Sequence, residues 1–129
     1  MLVLALVALM GLAVLSFAQE AKKEEAAKSA TLTGEVIDLY CYMDKKAMGA
    51  DHAKCAASCI SKGLPVGLLT ADGTIYLITG KAHEPANAAV AEFAGKQATI
   101  TGKVMEQGAV KAIELVSIAG AKEEKKSGY

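Results

Sequence analysis

Two segments far apart in the chain carry nearly the same six residues. They are Thr31-Leu-Thr-Gly-Glu-Val36 and Thr99-Ile-Thr-Gly-Lys-Val104. Both read as strands, with Leu32 and Val36, or Ile100 and Val104, on one side and a glycine between them. A glycine inside a strand marks a bend, a bulge or a close approach of backbone. Two bent strands with equivalent glycines suit a small barrel. So short a match does not require that two halves share an ancestor.

The remaining elements extend this reading. Thr31–Tyr40 is the first predicted strand. Val66–Thr70 and Thr74–Thr79 are two short strands joined through Ala71-Asp72-Gly73, a hairpin signal. Gln97–Met105 and Ala109–Ile118 are strands joined across Glu106-Gln107-Gly108. In the last strand Val116 and Ile118 break the alternation set by Ile113 and Leu115, which calls for a bulge or burial on both sides. Asp51–Lys62 reads as a helix, with Asp51 as N-cap and Gly63 as its stop. Pro85–Phe93 reads as a short helix ended by Gly95, with Ala89, Val90 and Phe93 spaced to plug one end of a barrel. The order is strand, helical insert, strand, strand, helix, strand, strand. It predicts a mainly β domain: a five-stranded OB-like barrel with a helical insert between strands 1 and 2 and a short helix between strands 3 and 4.

The ends differ in composition. Leu2–Ala18 is an uncharged apolar run ending in Ser16-Phe17-Ala18, a small-x-small pattern that suits signal peptidase. Residues 1–18 are therefore expected to be a signal peptide, with an uncleaved N-terminal anchor as the alternative. Residues 19–30 are a charged, alanine-rich linker. The barrel with its Cys/His insert, residues 41–63, occupies 31–118, and 119–129 form a charged flexible tail. Removing residues 1–18 from the 129-residue chain leaves 111, enough for one small core. This places the protein outside the cytoplasm, periplasmic or extracellular, and a membrane partner enters only if the apolar segment stays attached.

Charge narrows the function classes. The 14 basic residues, all lysine, balance 14 acids. Without arginine there is no bidentate recognition of phosphate or carboxylate. A neutral, arginine-free, exported domain is a poor nucleic-acid binder. The partner expected is an unidentified protein.

Chemistry concentrates in one stretch. All three cysteines, Cys41, Cys55 and Cys59, and one of two histidines, His52, lie within it. On a helix His52, Cys55 and Cys59 would stand at i, i+3 and i+7, one stripe facing Cys41 at the end of the first strand. Three sulfurs and one imidazole form a complete tetrahedral ligand set for zinc, and the soft sulfurs, with Met43 and Met48 nearby, also suit copper(I). Export favours a second state, a disulfide of Cys41 with Cys59 or Cys55 that staples the insert. A third state leaves a reactive thiol beside His52. No orienting acid or oxyanion element accompanies the thiols, so no catalytic residue is assigned and the protein is expected not to be an enzyme. Asp38, Asp44 and His83 are expected to be solvated surface groups.

These motifs resemble a group of small exported bacterial proteins, OB-like and of uncharacterised function. The resemblance is carried by Thr-Gly-Glu-Val-Ile-Asp-Leu-x-Cys41, His52-x2-Cys55-x3-Cys59, Gly63-Leu-Pro-Val-Gly-Leu-Leu and Asp-Gly-x-Ile-Tyr76, and spans roughly 31–118. It implies the barrel, an exported location and a ligand site at Cys41, His52, Cys55 and Cys59. The expected function is metal or redox-linked binding, as an accessory part of an envelope assembly. The alternative is a structural or interaction module held by a disulfide.

Overall fold

A computed structural model describes residues 29–121. The predicted signal peptide and most of the predicted linker and tail lie outside the described residues. No described helix is long and apolar enough to cross a membrane.

Five strands form a mixed sheet that closes in a ring, in the order β1-β2-β3-β5-β4. They are β1 (Ser29–Asp38), β2 (Val66–Thr70), β3 (Ile75–Thr79), β4 (Gln97–Gln107) and β5 (Val110–Gly120). Helical segments join β1 to β2 and β3 to β4. The first crossing holds α1 (Leu39–Lys45), a 3₁₀ turn at Ala50–His52 and α2 (Ala53–Ser61). The second holds 3₁₀ turns at Lys81–His83 and Ala91–Phe93 around α3 (Asn87–Val90).

The repeated Thr-x-Thr-Gly segments turn out to pair with each other. β1 and β4 run antiparallel with Leu32 opposite Ile100, Thr31 opposite Thr101 and Thr33 opposite Thr99. The hydroxyls of the two threonine pairs bond at 3.0 and 2.9 Å. The likeness is thus a cross-strand ladder, since facing threonines stabilise an antiparallel pair. β1 then changes neighbour. Gly34 and Glu35 are paired with β4 on one side and β2 on the other. A side chain at Gly34 would run into the Leu69 carbonyl of β2, and one at Gly102 into the Glu114 carbonyl of β5. Val116 is the extra residue of a bulge, because Thr101 faces Ser117 while Gly102 faces Leu115. The ring closes through a parallel seam of β3 with β5, which is three residue pairs long: Leu77 with Ala112, Ile78 with Ile113 and Thr79 with Glu114.

Inside the ring lie Val36, Val66, Leu68, Ile78, Ala98, Ile100 and Ile113, all buried. Both crossings add to this cluster: Ala56 and Ile60 from α2, and Ala86, Val90 and Ala94 from the second crossing. The Asn87 side-chain amide donates to the carbonyls of Ile60 and Leu64, each at 2.8 Å, and so ties α3 to the end of α2.

Several boundaries move from those expected. The first strand starts at Ser29 and ends at Asp38, not Tyr40, because α1 begins at Leu39. The predicted helix over 51–62 is a 3₁₀ turn followed by α2. Asp51 lies inside that turn, and His52, not Asp51, holds the N-cap position. Gly63 does terminate α2: its N–H reaches the Ile60 carbonyl and the Leu64 N–H reaches that of Cys59, the Schellman pattern. β5 extends to Gly120, so the first residues expected in the tail belong to the sheet.

Candidate metal centre

The centre is built where β1 turns into the first crossing. Asp38, the last residue of β1, is fully buried. Its carboxylate caps α1: Oδ1 accepts from the Tyr40 N–H at 3.0 Å and Oδ2 from the Cys41 N–H at 3.4 Å. An aspartate before a helix commonly satisfies the free N–H groups of the first turn. Here the cap fixes where Cys41 projects. Cys41 is therefore a first-turn residue of α1, not the end of a strand.

The other sulfurs come from α2. Cys55 and Cys59 are one turn apart, and each lies one residue before a buried anchor, Ala56 and Ile60. Their stripe runs along the margin of the core contact, which leaves Cys55 exposed and Cys59 half-buried. The start of α2 is set by Gly95, whose φ is 69°. A Cβ there would come within 2.7 Å of the Gly49 carbonyl and 2.8 Å of Ala53. Only glycine allows that approach. Glu35, buried on β1, accepts from the Gly49 N–H and holds the loop between α1 and α2 from the other side.

Three sulfurs converge. The Sγ atoms of Cys41, Cys55 and Cys59 lie within 4.8 Å of one another. Three sulfurs bound to one ion at about 2.3 Å each sit roughly 3.8–4.0 Å apart. The set needs to draw in by up to about 1 Å, within the reach of side-chain rotation, so the three cysteines could hold a metal ion. All three are free, and no disulfide of Cys41 with Cys59 or Cys55 is formed.

His52 arrives by another route. It ends the 3₁₀ turn and occupies the N-cap of α2, so it does not continue the helical stripe of Cys55 and Cys59. A ring nitrogen of His52, an oxygen of Asp38 and the Cys41 sulfur form a second group within 4.8 Å. The Nε2 of His52 is buried and has no hydrogen-bond partner. The two groups share Cys41.

Asp38 is the residue that sequence reading missed, having been expected among solvated acids. It is buried because it sits between the strand, α1 and the thiols. The signal was its place before Leu39-Tyr40-Cys41, where a capping aspartate starts a helix. Asp44 is exposed and pairs with Lys45 at 3.7 Å on the surface of α1. His83 is exposed in the 3₁₀ turn after β3 and belongs to neither group. Met43 and Met48 are exposed.

Electrostatics keep Cys41 and Cys59 protonated when no cation is bound. The Cys41 thiol, hydrogen-bonded to Asp38, is pushed up to about 12; burial, the Asp38 charge and the other two sulfurs act in the same direction. Burial also raises Cys59, with further contributions from the Asp38 charge and Cys55. The thiolate is the nucleophile, so these two cysteines are poor nucleophiles at neutral pH. A cation reverses the balance, because ligand thiols ionise on binding.

Comparison with protein-family models, with curated proteins and with solved structures finds no match to the chain.

Proposed function

We propose that this protein is an exported, non-enzymatic metal-binding protein. Its five-stranded ring carries an insert that holds a thiophilic ion, zinc or copper(I), through Cys41, Cys55 and Cys59. The reading is carried by one observation: three free sulfurs from two separate helices lie within 4.8 Å of one another. His52 groups with Asp38 and Cys41 and not with Cys55 and Cys59, which leaves the fourth position of a tetrahedral ion to another donor such as water. Three thiolates with an open fourth position suit zinc, and thiolates alone suit copper(I).

The insert has anchors besides the three cysteines. Ile60 and Ala56 are buried in the core, and the end of α2 is capped by its own chain and by Asn87. Structural zinc sites differ in that the metal supplies the folding energy. This anchoring supports reading the ion as cargo or a functional group, in keeping with an accessory role in an envelope assembly.

The test is to measure intact mass, free thiols and bound metal on the same purified protein, before and after dialysis against zinc or copper(I). The expected result is one tightly held ion and no disulfide, with Cys55→Ser and Cys59→Ser each weakening retention. A mass two protons light, one titratable thiol and no metal would replace this reading with the disulfide-stapled module. Cell fractionation tests export, and recovery in the cytoplasm would overturn that part.

A further inference from the structure

We infer that the centre contains a second cation position, formed by Asp38, Cys41 and His52. It takes a borderline divalent ion such as zinc(II) or cobalt(II). The inference rests on the metal-binding reading above and deepens it. The donor atoms of these three residues lie within 4.8 Å of one another. They offer an oxygen, a sulfur and a nitrogen, a mixed set that suits a borderline ion with a place left for water. The three-sulfur group is softer and favours copper(I).

Two further observations point to a cation here. The first is the unpartnered, buried Nε2 of His52. Buried polar atoms normally have partners, and an orphaned one calls for an explanation such as an ion or water. The second is Asp38. Its side chain is fully buried, and no lysine pairs with it among the described residues, where the ion pairs are Lys45 with Asp44 and Lys111 with Glu106. Buried carboxylates are usually paired with a cation or coordinate a metal. The two N–H groups of α1 engage it only in part, since the contact from the Cys41 N–H to Oδ2 is 3.4 Å long. The Cys41 and Cys59 thiols donate to it as well, and these are protons that a bound cation would displace.

Cys41 is common to both groups, so the two positions are coupled. Each ion that binds takes the Cys41 proton into solution, and its thiolate then serves whichever ion is present. Copper(I) drawn to the three sulfurs is expected to weaken retention of zinc at the mixed position.

The experiment uses the full chain with Cys55→Ser and Cys59→Ser combined, which leaves the mixed position intact. Both cysteines lie outside the core, and circular dichroism checks the fold. Cobalt(II) titration of this variant should give one equivalent bound, with a sulfur-to-cobalt band of single-thiolate intensity, and zinc should displace it. Adding His52→Ala or Asp38→Asn should abolish the band. Should Asp38→Asn fail to fold, His52→Ala decides. Wild-type protein that binds cobalt, zinc or copper(I) while the double variant binds no cobalt would overturn this inference and leave the three-sulfur site standing. Binding by the double variant that His52→Ala does not change would also overturn it. Wild-type protein that binds none of the three ions would overturn the metal-binding reading itself.

Discussion

The two crossings of this fold close on one hydrophobic cluster but are made of different material. The second, between β3 and β4, buries Ala86, Val90 and Ala94 and packs Ala91 and Phe93 against the same cluster. Its polar groups face water or, like Asn87, have found partners. The first, between β1 and β2, buries Ala56 and Ile60 and packs only the small Ala57 against the cluster. Around them it gathers a fully buried carboxylate, three thiols and an imidazole nitrogen without a partner. Packing completes the second crossing. The first is anchored through Ala56 and Ile60 but keeps bonding capacity that packing does not use. Stability and chemistry therefore rest on different side chains one residue apart on α2, and substitutions can separate them.

Cys41→Ser is the sharpest cut, because it removes the donor common to both groups. Metal retention should be lost, while the midpoint of urea unfolding moves by less than about 1 kcal/mol of stability, since the side chain is not in the core. Ile60→Ala should do the reverse. It empties the anchor of α2 at a cost of about 2–5 kcal/mol in the same unfolding assay, while the protein that remains folded still binds its ion. If both substitutions cost the same stability, the division of labour is wrong. Asn87→Ala comes next: removing the donor to the Ile60 and Leu64 carbonyls should cost about 1–3 kcal/mol, read as a lower melting temperature.

The dependence on pH follows from the raised thiols. The folded protein holds the Cys41 proton more tightly than the unfolded chain does, so that contribution is fully present below the ordinary thiol value of 9.0. It is lost as pH rises towards about 12. Metal-free protein should therefore lose stability over that interval, with a shallower slope in Asp38→Asn. Metal binding should strengthen as pH rises, because thiol protons must leave. The smallest effect belongs to Val116→Thr. The residue is an exposed bulge position, and its substitution should stay within about 0.5 kcal/mol of wild type and leave metal retention unchanged.

Much of the sheet was legible in the sequence because alternation and glycine carry direct physical meaning. The five strands, the hairpin at Ala71-Asp72-Gly73 and the irregularity at Val116 follow from period-2 patterning. Strand order was harder. The change of partner at Gly34 and the seam between β3 and β5 depend on pairings between distant residues. The insert was read in part. Its cysteines were conspicuous, but α1 was hidden because Leu39 and Tyr40 continue a β-like run. His52 was assigned to a regular helix, although the 3₁₀ turn before α2 directs it to Asp38. Asp38 itself could not be recognised as buried from its neighbours, since what covers it is the packing of α1 and the thiols.

The parallel seam also bears on how the molecule breathes. Local opening takes the route that breaks the fewest interactions. Two contacts of this ring are only three pairs long, β2 with β3 and β3 with β5; the first is also held by its hairpin turn, so the route is the seam of β3 with β5, whereas β4 and β5 are paired along most of their length. Amide hydrogen exchange should thus be fastest in the sheet at the seam and slowest where β4 meets β5. In the circular order the seam lies across from β1, the strand whose end carries Asp38. The ring can part there without disturbing the donors, so the exchange rate of a bound ion should be independent of the rate at which the sheet opens.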